Sequence, residues 1–165
     1  MTVSRPVALL AAVLAAGACR PAEASRLAGG AGSIRELGAR YLEALARRDT
    51  AGMHALRVTE AEHNEVLWPE FPASGLNMPV EVAWQNVERA SWRKGARIAA
   101  RFGGVSHKLR GVHCRKGVTQ YASFRVHGDC WVTMRPPDGP PFEAKLFGSI
   151  VEMDGRYKII GILAD

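Results

Sequence analysis

Two hydrophobic periods divide the chain. Up to Gly104 the apolar residues recur every three to four positions, and beyond it every two. Ile34, Leu37, Tyr41, Leu42 and Leu45 predict an amphipathic helix over 34–47. Ser33 and Glu36 open it as a capping box, in which hydroxyl and carboxylate satisfy free amides of the first turn. Asp49-Thr50 restarts the chain, and Ala51 to Leu56 predicts a second, short helix. Thr59 and Glu62 form another capping box, opening a turn or two of helix that ends at Trp68-Pro69. Pro69, Pro72, Ser74, Gly75 and Asn77 mark a loop. Pro79 suits the first turn of a long helix, whose stripe is Val80, Trp84, Val87, Ser91, Ile98 and Phe102. Gly103-Gly104 stops it, and Gly95 is a weak point within it.

The period of two predicts strands over 106–115, 118–134, 142–153 and 157–163. Lys116-Gly117, Pro137-Asp138-Gly139 and Asp154-Gly155 are the turn signals between them. The second run is too long to stay regular, so His127-Gly128-Asp129 is expected to hold a bulge or bend. Helices followed by an antiparallel meander of four or more strands make an α+β fold. The last two strands carry apolar residues on both faces, Ile159 and Leu163 opposite Ile160 and Ile162. Helices therefore cover one face, and the other is covered by further structure or by a second copy in a homodimer.

Ahead of the domain, Met1–Arg5 is a short basic region and Pro6–Ala18 an uncharged apolar run of ~13 residues, too short to span a bilayer but suited to an export signal. Leu14-Ala15-Ala16-Gly17-Ala18-Cys19 resembles a bacterial lipobox, which implies lipidation at Cys19; cleavage after Ala18 or Ala24 without lipidation is the alternative. Residues 1–24 are thus read as leader and start of tether, 25–32 as a flexible Ala/Gly tether, and 33–165 as one α+β domain. The expected location is the cell envelope, periplasmic or membrane-anchored, otherwise secreted.

Charge changes this picture little. Twenty-two Lys and Arg oppose 16 Asp and Glu in 165 residues. The basic residues are scattered without a run of five, so the sequence points to a solvated surface rather than a nucleic-acid site.

Few residue patterns carry chemistry. No Gly-x-Ser-x-Gly and no phosphate loop is present, which removes the common acyl-transfer and phosphoryl-transfer classes. His113-Cys114 and His127-x-x-Cys130 match no closed zinc spacing, and neither metal nor cofactor is expected. Cys114 and Cys130 form an even pair in an oxidising compartment. A turn at 115–118, however, would set them over ~30 Å apart, which favours two buried thiols. His127 with Asp129 has the composition of a base and its orienter, though a bend there favours an exposed or structural role.

Tyr41-Leu42-x-x-Leu45-x-x-x-Asp49 and the closing hairpin from Leu146 to Ile159 around Asp154-Gly155 resemble the nuclear transport factor 2-like superfamily, which includes polyketide-cyclase-like and ketosteroid-isomerase-like proteins. The resemblance implies a cone-shaped sheet wrapped around a helix, with a pocket at its open end. It implies no reaction, because the superfamily mixes enzymes with silent binding modules. Tyr41, Trp68, Trp84, Tyr121 and Trp131 are the aromatic candidates for a pocket wall, with Trp68 foremost. Asp49, Glu70, His113 and Asp129 are the candidate acids and bases.

The expected function is an exported, lipid-tethered domain that binds a small apolar ligand or a protein. A cofactor-free isomerase or cyclase is the second reading, and a structural subunit assembling through its sheet the third. Catalysis is left undecided, with the balance against it.

Overall fold

The computed structural model describes residues 27–161; the leader and Cys19 lie outside the described residues. Helix α1 (Ile34–Ala46) starts where the capping box predicts, with the Ser33 hydroxyl accepting from the Glu36 amide. The Glu36 carboxylate reaches back to the Gly32 amide at 2.8 Å. Leu37, Tyr41, Leu42 and Leu45 turn inwards. Gly38 lets the helix lie close on the sheet, for a Cβ there would stand 2.7 Å from a Val112 methyl. Helix α2 (Thr50–Ala55) is capped by Asp49, whose carboxylate accepts from the Gly52 amide at 2.8 Å. The second capping box also forms, with Thr59 N–H donating to Glu62 and Glu62 N–H to Thr59 Oγ1.

The proline-rich stretch is more regular than a loop. After a π-helical segment, Glu62–Leu67, come 3₁₀ turns at Trp68–Glu70 and Pro72–Leu76, each with a proline in its first positions. The N–H that proline lacks would have no partner in a first turn, so these prolines fit where they stand. Helix α3 (Val80–Phe102) follows; of its 23 residues only Ala83, Ser91 and Ile98 are buried.

The strands are β1 (Lys108–Cys114), β2 (Val118–Gln120), β3 (Arg125–His127), β4 (Cys130–Arg135), β5 (Phe142–Ala144), β6 (Ser149–Met153) and β7 (Arg156–Gly161). They form two antiparallel sheets, β1-β4-β5 and β2-β3-β6-β7. Along the chain these are one bent meander of four long strands, with β1 running into β2, β3 into β4 and β5 into β6. The bend is the bulge expected at His127–Asp129. Cys114 pairs with Cys130 and Val118 with His127, leaving three residues on one strand opposite two on the other. Gly117 (φ 72°) and Asp129 (φ 54°) supply the left-handed backbone there.

Two expectations are corrected. The first hairpin turns at Tyr121–Phe124, where the Tyr121 amide donates to the Phe124 carbonyl, and Lys116-Gly117 belongs to the bulge. With the turn moved outwards, Cys114 and Cys130 stand opposite each other and are joined in a disulfide, with Cα atoms 3.9 Å apart. The other correction concerns the tether. Leu27 and Ala31 are fully buried, and Ala31 exchanges backbone hydrogen bonds with Tyr157 at 3.0 and 2.9 Å. The described part of 25–32 is built into the domain beside β7.

Both faces of the sheet are covered. Ile150 and Ile159 join α1 and Phe147 in the main core, while Val151 and Ile160 join Leu27, Leu67 and Phe124 in a second cluster beneath the short helical turns. The two-faced apolar pattern of the last strands thus reflects two cores within one chain.

Candidate functional site

Helix α3 is a strut with a depression on either side. On one side an open cleft of about 580 Å³ separates it from β4 and β5, within the ~300–1,000 Å³ usual for small-molecule sites. Its floor is apolar: Ile98 and Phe102 from the helix, Trp131, Phe142 and Ala144 from the sheet. Phe102 and Phe142 stack with ring centroids 5.9 Å apart. Its rim is basic, with Arg93, Lys94, Arg97 and Arg101 above and Lys145 below. Asp129 holds Lys145 at 2.8 Å and accepts from the Trp131 indole at 3.2 Å, so the carboxylate orients both. Chiefly that Lys145 contact, against some desolvation, keeps the Asp129 carboxyl below its ordinary range. The Arg115 guanidinium lies 4.1 Å from the Trp131 ring centre and pairs with Glu143 at 2.7 Å.

On the other side of α3, Tyr41, Met53, His54, Arg57, Trp92 and Ala96 line a cavity of about 70 Å³. Tyr41 Oη and Arg57 Nε, both from its lining, are the only buried side-chain nitrogen or oxygen atoms among the described residues that lack a hydrogen-bond partner. Arg57 otherwise donates to His54 Nδ1 at 3.0 Å and to Glu88 at 2.7 Å. His54 Nδ1 must accept there, because a guanidinium only donates. Burial raises the Tyr41 pKa and outweighs the Arg57 charge, so the phenol stays a donor.

The five aromatic candidates are therefore dispersed. Trp131 lines the cleft and Tyr41 the small cavity. Trp84 and Tyr121 pack against the second core, Trp84 5.3 Å from buried His63 and Tyr121 5.4 Å from half-buried Phe71, while Trp68 lies 5.8 Å from His63. The acid–base candidates separate too. Asp49 is a helix cap, and Glu70 accepts from the Ser123 amide and hydroxyl, clasping the first hairpin turn. His113 is exposed, 3.6 Å from Glu143. None of the four is in the cleft lining, but Asp129 touches its Lys145 and Trp131, and His113 its Glu143.

His127 pairs with Glu152 at 2.9 Å rather than with Asp129. Burial pushes the Glu152 carboxyl up, but His127, Arg125 and Tyr157 together hold it below the usual range. The second buried carboxylate, Glu62, accepts from Lys158 at 2.8 and 2.9 Å. Neither carboxylate lines the cleft. Sequence reasoning missed the rim, although one signal was present: arginine at every fourth position, 89, 93, 97 and 101.

Among the described residues no three His, Cys, Asp or Glu side chains group to hold a metal, and no helix is long and apolar enough to cross a membrane. Fold and site together define an α+β protein with an apolar, basic-rimmed cleft. Comparison with family models, curated proteins and solved structures finds no match for the chain.

Proposed function

We propose that this chain is an exported, lipid-tethered binding module that holds a small, largely apolar ligand in the cleft between α3 and β4–β5. One observation carries the reading: the cleft of about 580 Å³ has an apolar floor, and among the described residues the carboxylate in its lining, Glu143, is half-exposed and engaged by Arg115. A base for proton transfer would have to be a carboxylate or imidazole held in a dry pocket with a shifted pKa. Among the described residues the two buried carboxylates lie outside the cleft, occupied by Lys158 and by His127 with Arg125. The test is titration with the uncharged fluorophore N-phenyl-1-naphthylamine. Saturable binding that Ala90→Trp abolishes, by filling the cleft from the helix side, supports the reading; binding unaffected by that substitution removes it.

The isomerase or cyclase reading has one observation in its favour, the donor pair Tyr41 Oη and Arg57 Nε at the small cavity. Such a pair suits a developing oxyanion. Among the described residues the lining of that cavity contains no carboxylate, and His54 already accepts from Arg57 through Nδ1. With donors but no base, the cavity favours binding over catalysis.

A further inference from the structure

We infer that the ligand of the cleft is an anionic amphiphile, a single acidic group carried on an apolar body. This rests on the reading of the cleft as a ligand site and adds the chemistry of its occupant. The arginine row of α3 runs from 89 to 101, ~18 Å at 1.5 Å per residue, and like charges four residues apart weaken a helix. Among the described residues, three carboxylates that could offset this row are engaged elsewhere. Glu88 faces Arg57, Glu143 faces Arg115, and Asp129 faces Lys145. Among the described residues Arg93 and Arg97 have no ion-pair partner, while Arg101 lies 5.0 Å over the Phe102 ring.

Floor and rim therefore ask for different things at the same place. A neutral apolar molecule would cover Ile98, Trp131 and Phe142 but give the arginines nothing. A bare anion would satisfy the rim and leave the floor wet. A cationic amphiphile would meet like charge on entry. Only a molecule with both parts answers both: its apolar body on the floor, and its acidic group on Arg93 and Arg97, whose planar guanidinium forks suit a carboxylate or a sulfate.

The experiment compares dodecanoate, dodecanol and dodecyltrimethylammonium, each below its micelle concentration, on the mature chain with Cys19→Ser, reading the Trp131 indole resonance by NMR. Dodecanoate is expected to bind at least about tenfold more tightly than the alcohol, one charge-assisted hydrogen bond being enough for that ratio. The cation is expected not to bind. In Arg93→Gln/Arg97→Gln, whose changes are on the exposed rim, the acid-to-alcohol ratio should collapse towards one. Equal affinity for acid and alcohol, or an unchanged ratio in the double variant, overturns the anionic assignment while leaving the cleft as a ligand site. If none of the three shifts Trp131, the site and its ligand class fall together.

Discussion

Cys114 and Cys130 face each other across β1 and β4 with their Cα atoms 3.9 Å apart, and the disulfide between them closes off the β2–β3 hairpin as a loop. Trp131, next in sequence to Cys130, lines the cleft. The bond therefore fastens the bulge that sets one sheet against the other at the edge of the site.

With a sequence separation of 16 between the cysteines, loop closure contributes about 3 kcal/mol. At roughly 2–4 °C per kcal/mol for a domain of this size, reduction should lower Tm by about 6–12 °C. Calorimetry with and without dithiothreitol checks this. Cys114→Ser/Cys130→Ala should give the same shift, and insensitivity of both would show that hairpin pairing alone holds the bulge.

The bridge also marks the limit of what the residues disclosed. The Ser33 and Asp49 caps, Pro79 at the start of α3 and three-to-four spacing place α1, α2 and α3 within a residue or two, because helix starts are decided locally. The four-stranded meander and the bend at His127–Asp129 were legible as well. The hairpin turn was not: Lys116-Gly117 has turn composition, yet its positive φ at Gly117 serves a bulge, while the true turn, Tyr121-Ala122-Ser123-Phe124, has no glycine and is held by Glu70 from 53 residues away. That contact is tertiary, so no local signal announces it. The cleft was half legible. Trp131 drew notice as an aromatic, but its partners Ile98 and Phe142 come from elements whose packing is non-local.

Lys158 and Glu62 form a buried bidentate pair, both under a tenth exposed. Removing one partner strands a charge in the second core, so Lys158→Met should cost about 3–5 kcal/mol. Lys158→Met/Glu62→Leu should recover most of that, since two apolar groups need no counter-ion there. Urea denaturation of the two single variants and the double variant gives the coupling directly. A double variant as unstable as the worse single would mean that Glu62 acts mainly through its bond to the Thr59 amide.

Glu152 has its folded-state pKa held below the ordinary carboxylate range, burial being outweighed by His127, Arg125 and Tyr157. The unfolded chain thus binds the proton more readily than the folded one, and stability rises with pH across that interval. Its contribution is complete above the ordinary Glu value and is lost as pH falls through the folded value. Glu152→Gln should accordingly lower stability at neutral pH and flatten the acid limb of the stability profile. Urea midpoints at a series of pH values compare the two proteins; parallel acid limbs would assign the loss to other carboxylates.

Trp92 lies against His54 in a tilted contact, ring centroids 3.9 Å apart, and stands half-exposed over the small cavity. The His54 pKa is lowered first by burial and then by the Arg57 charge, with Glu88 opposing. Again the unfolded chain binds the proton more readily, so this histidine's contribution is complete above its ordinary value and is lost as pH falls towards the folded one. Trp92→Ala exposes the imidazole to water and removes the leading cause, so the His54 pKa should climb back towards the ordinary value. An NMR titration of the His54 ring reads this, and urea midpoints between pH 5 and 8 should show a shallower slope. If the pKa stays low without the indole, Arg57 sets it, and Glu88→Gln, which removes the opposing charge, should then drive it lower still.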